Sequence, residues 1–348
     1  SLGITRQKSS EDDKLTSSAA MSHRTRRGAM LTNLRSLKLG NWSRGITKGE
    51  FLSILEGCPN LEKLSLECGL VPVAMTGEDI SRICPNLRNI LHHWSEREDQ
   101  GTWPLETLAT LPQNQLTSIS IIGPFNRCWD NEFACTSFLR HSLTLREFNV
   151  YRPISSAAIA LVLRTCNALE WVDVRRSSLI LQDAIAYPWA SSNINCLKLE
   201  VLVSLPSSPP DALYTPYYLQ TPPIPATTEE TLLFTHLELF YRQIGSLKEM
   251  RYLYLGTTSY NERGSMLRLF SVRALPGMLA LSNNKMGRPG FLDLLSGWNQ
   301  LEIFSGNIFP ETEDDDMPAG APEIEWVLTH WKSLLYTKKT LSMSSSSF

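Results

Sequence analysis

The chain has 348 residues with 33 basic against 35 acidic side chains, a net charge of −2, and so offers no bulk argument for nucleic acid or an anionic membrane as partner. A composition of 42% hydrophobic and 20% charged residues suits a large buried core and excludes a disordered chain, while no apolar run approaches the roughly 18–20 residues that span a bilayer. Seven cysteines, spread from Cys58 to Cys196, do not make a compact disulfide scaffold; they predict reduced thiols and a cytoplasmic or nuclear setting.

Residues 1–30 are polar, carry a short basic run at His23–Arg27, and read as a flexible leader. From Leu34 onward a frame L-x-x-L-x-L sets in. Leu34/Leu37/Leu39 and Leu61/Leu64/Leu66 meet it in full. It returns in degenerate form at Leu87/Ile90, Leu116/Ile119/Ile121, Leu145/Phe148/Val150, Leu169/Val172/Val174, Ile194/Leu197/Leu199, Met250/Leu253/Leu255, weakly at Leu275/Met278, and at Leu301/Phe304. Successive starts lie 27, 26, 29, 29, 24, 25, 56, 25 and 26 residues apart. These steps fall at the upper end of the ~20–29 residues of leucine-rich repeats, long enough for a helix on the return path. The 56-residue step contains a Pro-rich insertion, 205–228, that reads as one repeat plus an extended loop outside the sheet.

Between the short alternating pieces, Gly49–Cys58, Ser155–Cys166 and Glu229–Ile244 space their apolar residues as helices do. Each unit therefore reads as strand, turn, helix. A single unit cannot bury its apolar face, but a stack closes a continuous core. The expectation is an α/β solenoid over 31–334, parallel strands on the concave face and helices on the convex face, with an acidic insertion at 309–322 (Glu311, Glu313, Asp314, Asp315, Asp316) and a disordered Ser-rich tail at 335–348.

Cys58 and Cys68 invite a zinc reading, but two further ligands are wanting nearby, and the repeat explains small buried cysteines at helix ends. The chain holds no phosphate loop, no nucleophile elbow and no H-E-x-x-H, and its six histidines are scattered. Neither metal, cofactor nor catalysis is expected. The concave face is more informative. Strand alternation turns the third, fifth and seventh residues of each frame away from the core. In the middle of the solenoid these positions gather Tyr151, Trp171, Asp173, Arg175, Lys198, Glu200, Tyr252 and Tyr254, rich in the residue types of interface hot spots. Two readings of them stay open: a docking surface, or internal pairing of Asp173 with Lys198 and of Arg175 with Glu200 across neighbouring strands, with Trp171 covered by the Pro-rich loop.

The motif C-P-N-L-x-x-L-x-L at Cys58, its return at Cys84 and the Cys-Asn pair at Cys166 resemble the cysteine-containing repeats of F-box/leucine-rich-repeat proteins. So do the stretches Tyr187–Val201 and Ala321–Leu334, which look like those of fungal members. The resemblance implies a right-handed leucine-rich-repeat solenoid, a ribonuclease-inhibitor-like horseshoe. It further implies a substrate-recognition subunit of a ubiquitin ligase, binding a protein target on the concave face. A helical F-box, which would dock on the ligase adaptor, is not found in the residues before Leu31 and is expected upstream of Ser1. The alternatives are a stand-alone scaffold or regulator, and an enzyme with a site on the solenoid edge.

Overall fold

One backbone device is repeated from rung to rung. The carbonyl of the second residue of each frame accepts two amide hydrogens from the next rung. Arg35 O receives Glu62 N and Lys63 N, Glu62 O receives Arg88 N and Asn89 N, and the series continues through Arg88, Thr117, Arg146, Glu170, Asn195 and Arg251, all at 2.7–3.2 Å. A frame locked in this way presents the same position of each unit at the same height. The computed structural model describes residues 31–40, 47–67, 76–93, 103–123, 131–204, 226–260, 266–269, 279–283, 289–306, 308 and 320–337.

Among the described residues the resulting sheet has eleven strands: β1 (Ser36–Leu39), β2 (Lys63–Glu67), β3 (Asn89–His93), β4 (Ser118–Ile122), β5 (Glu147–Tyr151), β6 (Trp171–Ile180), β7 (Cys196–Val203), β8 (Tyr252–Tyr260), β9 (Met266–Leu269), β10 (Ile303–Ser305) and β11 (Tyr336–Thr337). Apart from β9, their spatial order is their chain order and every pairing is parallel. Parallel neighbours require a crossover, and helices supply most of them. These are α1 (Lys48–Glu56), α2 (Gly77–Ile83), α3 (Trp103–Thr110), α4 (Asn131–Leu139), α5 (Ser156–Thr165), α6 (Leu181–Ile185), α7 (Thr228–Gly245) and α8 (Ala321–His330), with a 3₁₀ turn at Leu292–Leu295. Thr47, Thr76, Ser155 and Thr227 cap α1, α2, α5 and α7 by accepting from the amide three residues on. From α1 to α7 each helix touches the next, so the helices run in file as the strands do. The architecture is a solenoid-like parallel α/β stack. No helix among the described residues is long and apolar enough to cross a membrane.

The helix segments anticipated at Gly49–Cys58, Ser155–Cys166 and Glu229–Ile244 are α1, α5 and α7, displaced by at most two residues at either end. The weak repeat at Leu275/Met278 lies outside the described residues. Among those described, β8 pairs directly with β7 and β10 along Tyr252–Tyr254, and antiparallel with β9 along Thr257–Tyr260. Two expectations need correction. The sheet does not end at residue 334: Tyr336 and Thr337, assigned to the tail, pair with Ile303 and Phe304. Ala321 and Pro322, assigned to the acidic insertion, are the first turn of α8, entered through Gly320 at φ 82°. The leader, 205–225, 309–319 and 338–348 lie outside the described residues.

The core is lined by the inward positions of the strands and by the helices above them. One of these positions is not apolar. His92 stands in the register column that Leu66, Ile121 and Val150 occupy in neighbouring rungs, and is 7% exposed. Burial, helped by His93 and Arg152, pushes its pKa down to about 4, and burial does the same to His141. Both imidazoles are thus neutral in the folded chain and gain protons on unfolding below pH 6.5, the ordinary histidine value. Stability is therefore fully present above about pH 6.5 and is lost as the pH falls through that of the folded state. For one such group the loss between pH 7.5 and pH 5 is about 2 kcal/mol. The drop in unfolding free energy over that interval, measured by urea titration, should shrink by this amount in His92→Leu, which restores the apolar column; an undiminished drop would refute the assignment.

Candidate functional site

The centre of the outward sheet face is organised by one carboxylate. Asp173 is the fifth residue of its frame, and its side chain is 1% exposed. Its Oδ2 accepts from Tyr151 OH at 2.5 Å and from Arg175 Nη2 at 3.0 Å, its Oδ1 accepts from Arg175 Nε at 2.9 Å, and Lys198 Nζ lies 3.3 Å from Oδ2. Arg175 Nη2 also donates to Tyr151 OH at 2.9 Å. Burial works against the charge of Arg175, yet its bonds to Asp173 and Tyr151 prevail and hold the guanidinium above its usual range. Burial, reinforced by the bond to Asp173, raises the Tyr151 phenol.

Aromatic rings frame these cations. The Arg175 guanidinium carbon lies 5.5 Å from the ring centres of both Tyr151 and Tyr254, and Lys198 Nζ lies 4.8 Å from that of Trp171. Trp171 and Tyr252 stand in register on either side of Cys196, and their ring centres are 5.9 Å apart. Cys196, anticipated on the exposed face, is fully buried because these two rings close over a small side chain, and burial pushes its thiol up to about 12. Such a thiol is not a nucleophile at neutral pH. Tyr252 OH donates to Glu302 at 2.8 Å, and Arg251 pairs with the same carboxylate.

All eight anticipated residues fall in this one patch, but not all in the anticipated way. Asp173 and Lys198 are register partners, as the alternation of the strands requires. Arg175 and Glu200 are not. The register slips between Asp173 and Ser178, so five residue steps of β6 span two of β7 and Glu200 faces Ser178 instead. The bulge is an ordered feature: buried Ser177 donates to Arg152 O at 3.1 Å and accepts from Ile154 N at 3.0 Å, which ties it to the turn after β5. It carries Arg175 and Arg176 off the ladder. There they line an open cleft of ≈ 290 Å³ with Tyr151, Tyr254 and Glu200. Asp173 and Glu200, 1% and 7% exposed, brace the patch from below, while the arginines, Lys198 and the aromatic rings are its accessible part. The Pro-rich stretch expected over Trp171 lies outside the described residues.

Two features escaped the sequence reading. Arg176 was missed because strict alternation was assumed; the signal is that buried apolar positions go from Val172 and Val174 to Leu179, an interval of five. A ladder of opposite charges at the second frame position was also missed: Arg35–Glu62 at 2.7 Å, Arg146–Glu170 at 3.1 Å, and Arg251–Glu302. These pairs are mostly solvent-exposed and each contributes little to stability. Among the described residues no three His, Cys, Asp or Glu side chains group closely enough to hold a metal ion. The patch sets partly exposed rings and cations over two buried carboxylates.

No protein-family model matches the chain, and no curated protein matches it in sequence.

Replacing Asp173 by Asn leaves Arg175 and Lys198 without their shared counter-charge. Because both cations are partly solvated, the cost lies at the lower end for a broken buried pair, about 3 kcal/mol. Asp173→Asn should unfold at correspondingly lower urea with native circular dichroism before the transition; a loss under about 0.5 kcal/mol would show that the carboxylate does not organise the patch.

Proposed function

We propose that the chain is a leucine-rich-repeat solenoid of the ribonuclease-inhibitor-like type, a right-handed horseshoe, that recognises a protein target through the Tyr151–Trp171–Arg175–Lys198–Tyr252–Tyr254 patch on its concave face. The observation that carries this reading is the patch itself: four aromatic rings and two cations lie side by side, partly exposed, with both cations and Tyr151 held by one buried carboxylate. Tyr, Trp and Arg fixed in advance lose little conformational freedom on binding, and these residue types dominate interface energetics. The cysteine-asparagine repeat frame adds the likeness to F-box/leucine-rich-repeat proteins. On that likeness the protein serves in the cytoplasm or nucleus as the substrate-recognition subunit of a ubiquitin ligase. It does no bond chemistry there, and raises the effective concentration of its target at the ligase.

The test uses the product of the complete gene. A ligase adaptor should co-purify with it, together with a target whose retention depends on the patch. The double variant Trp171→Ala/Tyr252→Ala should lose the target by 30-fold or more while keeping the adaptor and its thermal transition. Retention of the target by the variant would remove the concave-face reading, and failure to recover an adaptor would remove the ligase reading.

A further inference from the structure

The cleft beside the bulge has a chemistry of its own. At ≈ 290 Å³ it is at the small end for a ligand pocket and is sized for one protruding side chain. Among the described residues its lining sets two cations, Arg175 and Arg176, against one carboxylate, Glu200, and the adjoining Asp173 and Lys198 offset each other, which leaves one positive charge. Arg175 uses Nε and Nη2 on Asp173 and Tyr151; among the described residues no hydrogen bond uses its Nη1. Asp173 fixes the plane of that guanidinium, and Tyr151 and Tyr254 flank it. Arg176, one residue on, is exposed. The bulge is what places two consecutive arginines here, since an unbroken ladder would have turned Arg176 toward the core.

The geometry points to the cleft as a subsite for a single carboxylate side chain, Glu or Asp, of the protein that docks on this face. Planar guanidinium donors match carboxylate geometry. A surplus of one charge balances one carboxylate, whereas a doubly charged phosphoryl group would leave excess negative charge beside Glu200. This inference rests on the recognition reading above, and names what the partner must present between the Tyr151 and Tyr254 rings.

A fluorescent hexaglutamate peptide titrated into the full chain, with anisotropy as readout, tests it. Saturable one-to-one binding is expected, weakened at least tenfold by Arg176→Glu. The control Lys38→Glu makes the same change of net charge on the exposed first strand and should leave binding within twofold of wild type. Arg175→Gln is avoided as the main variant because it also strips Asp173 of a partner. Equal losses in Arg176→Glu and Lys38→Glu would reduce the effect to diffuse attraction and overturn the subsite. A phosphoserine hexapeptide binding tenfold tighter than hexaglutamate would overturn the carboxylate assignment. The recognition reading is judged separately: a target released by Trp171→Ala/Tyr252→Ala but unaffected by Arg176→Glu leaves the docking face standing and removes the subsite.

Discussion

The structure depends on the carbonyl at the second frame position, which takes two amides from the following rung. That one acceptor sets the height of the next strand, so equivalent residues fall into columns along the solenoid. From Leu61 onward the frame-opening column, Leu61, Leu87, Leu116, Leu145, Leu169, Ile194, Met250 and Leu301, is fully buried, while Leu34 at its start is half-buried. Its members are separated by anything from 24 to 56 residues in sequence, yet the connecting length does not disturb them, because the register is fixed at the strand and not in the return. Variable connections are therefore tolerated wherever the next rung can still donate its two amides.

A column makes every side-chain choice collective. Apolar columns merge into one core that no unit could close alone. Polar columns become stripes on the surface, as with Arg35, Glu62, Arg146, Glu170, Arg251 and Glu302. A local break in register is then the means by which a face acquires a singular feature. The break between Asp173 and Ser178 does this: it preserves the columns on both sides, with β7 and β8 in register through Val203 and Ser259, and opens a cleft where two arginines leave the ladder.

The columns were legible in the sequence because leucine spacing reports them directly, and so were the helices whose apolar residues recur on one face. Asp173 and Lys198 could be paired from alternation alone. The interval Arg175–Glu200 could not, since the bulge replaces alternation by hydrogen bonds from Ser177 to backbone groups of Arg152 and Ile154, a tertiary arrangement. The last rung was hidden for a different reason. In the opening repeats a cysteine three residues before the frame supplies the carbonyl for the Leu61 and Leu87 amides, but Trp298 and Trp331 play that part for Leu301 and Leu334. The two indoles stack with ring centres 6.1 Å apart, so the end of the solenoid is built on aromatic packing that a leucine frame does not announce.

The burial of Asp173 bears on what the patch is for. On the β5 side of Asp173 the column runs through neutral residues, Asn149 and Ser120, and the fold is continuous through them. Burying a carboxylate with its cations gains little stability over an apolar replacement. What the carboxylate does provide is direction: it holds the Arg175 guanidinium between Tyr151 and Tyr254 and draws Lys198 over Trp171. A packed core needs no such direction, whereas a surface that must meet a partner in one geometry does. A cluster that gains little over an apolar replacement therefore has its distinctive effect in the orientation of its neighbours, and this supports the recognition surface proposed above.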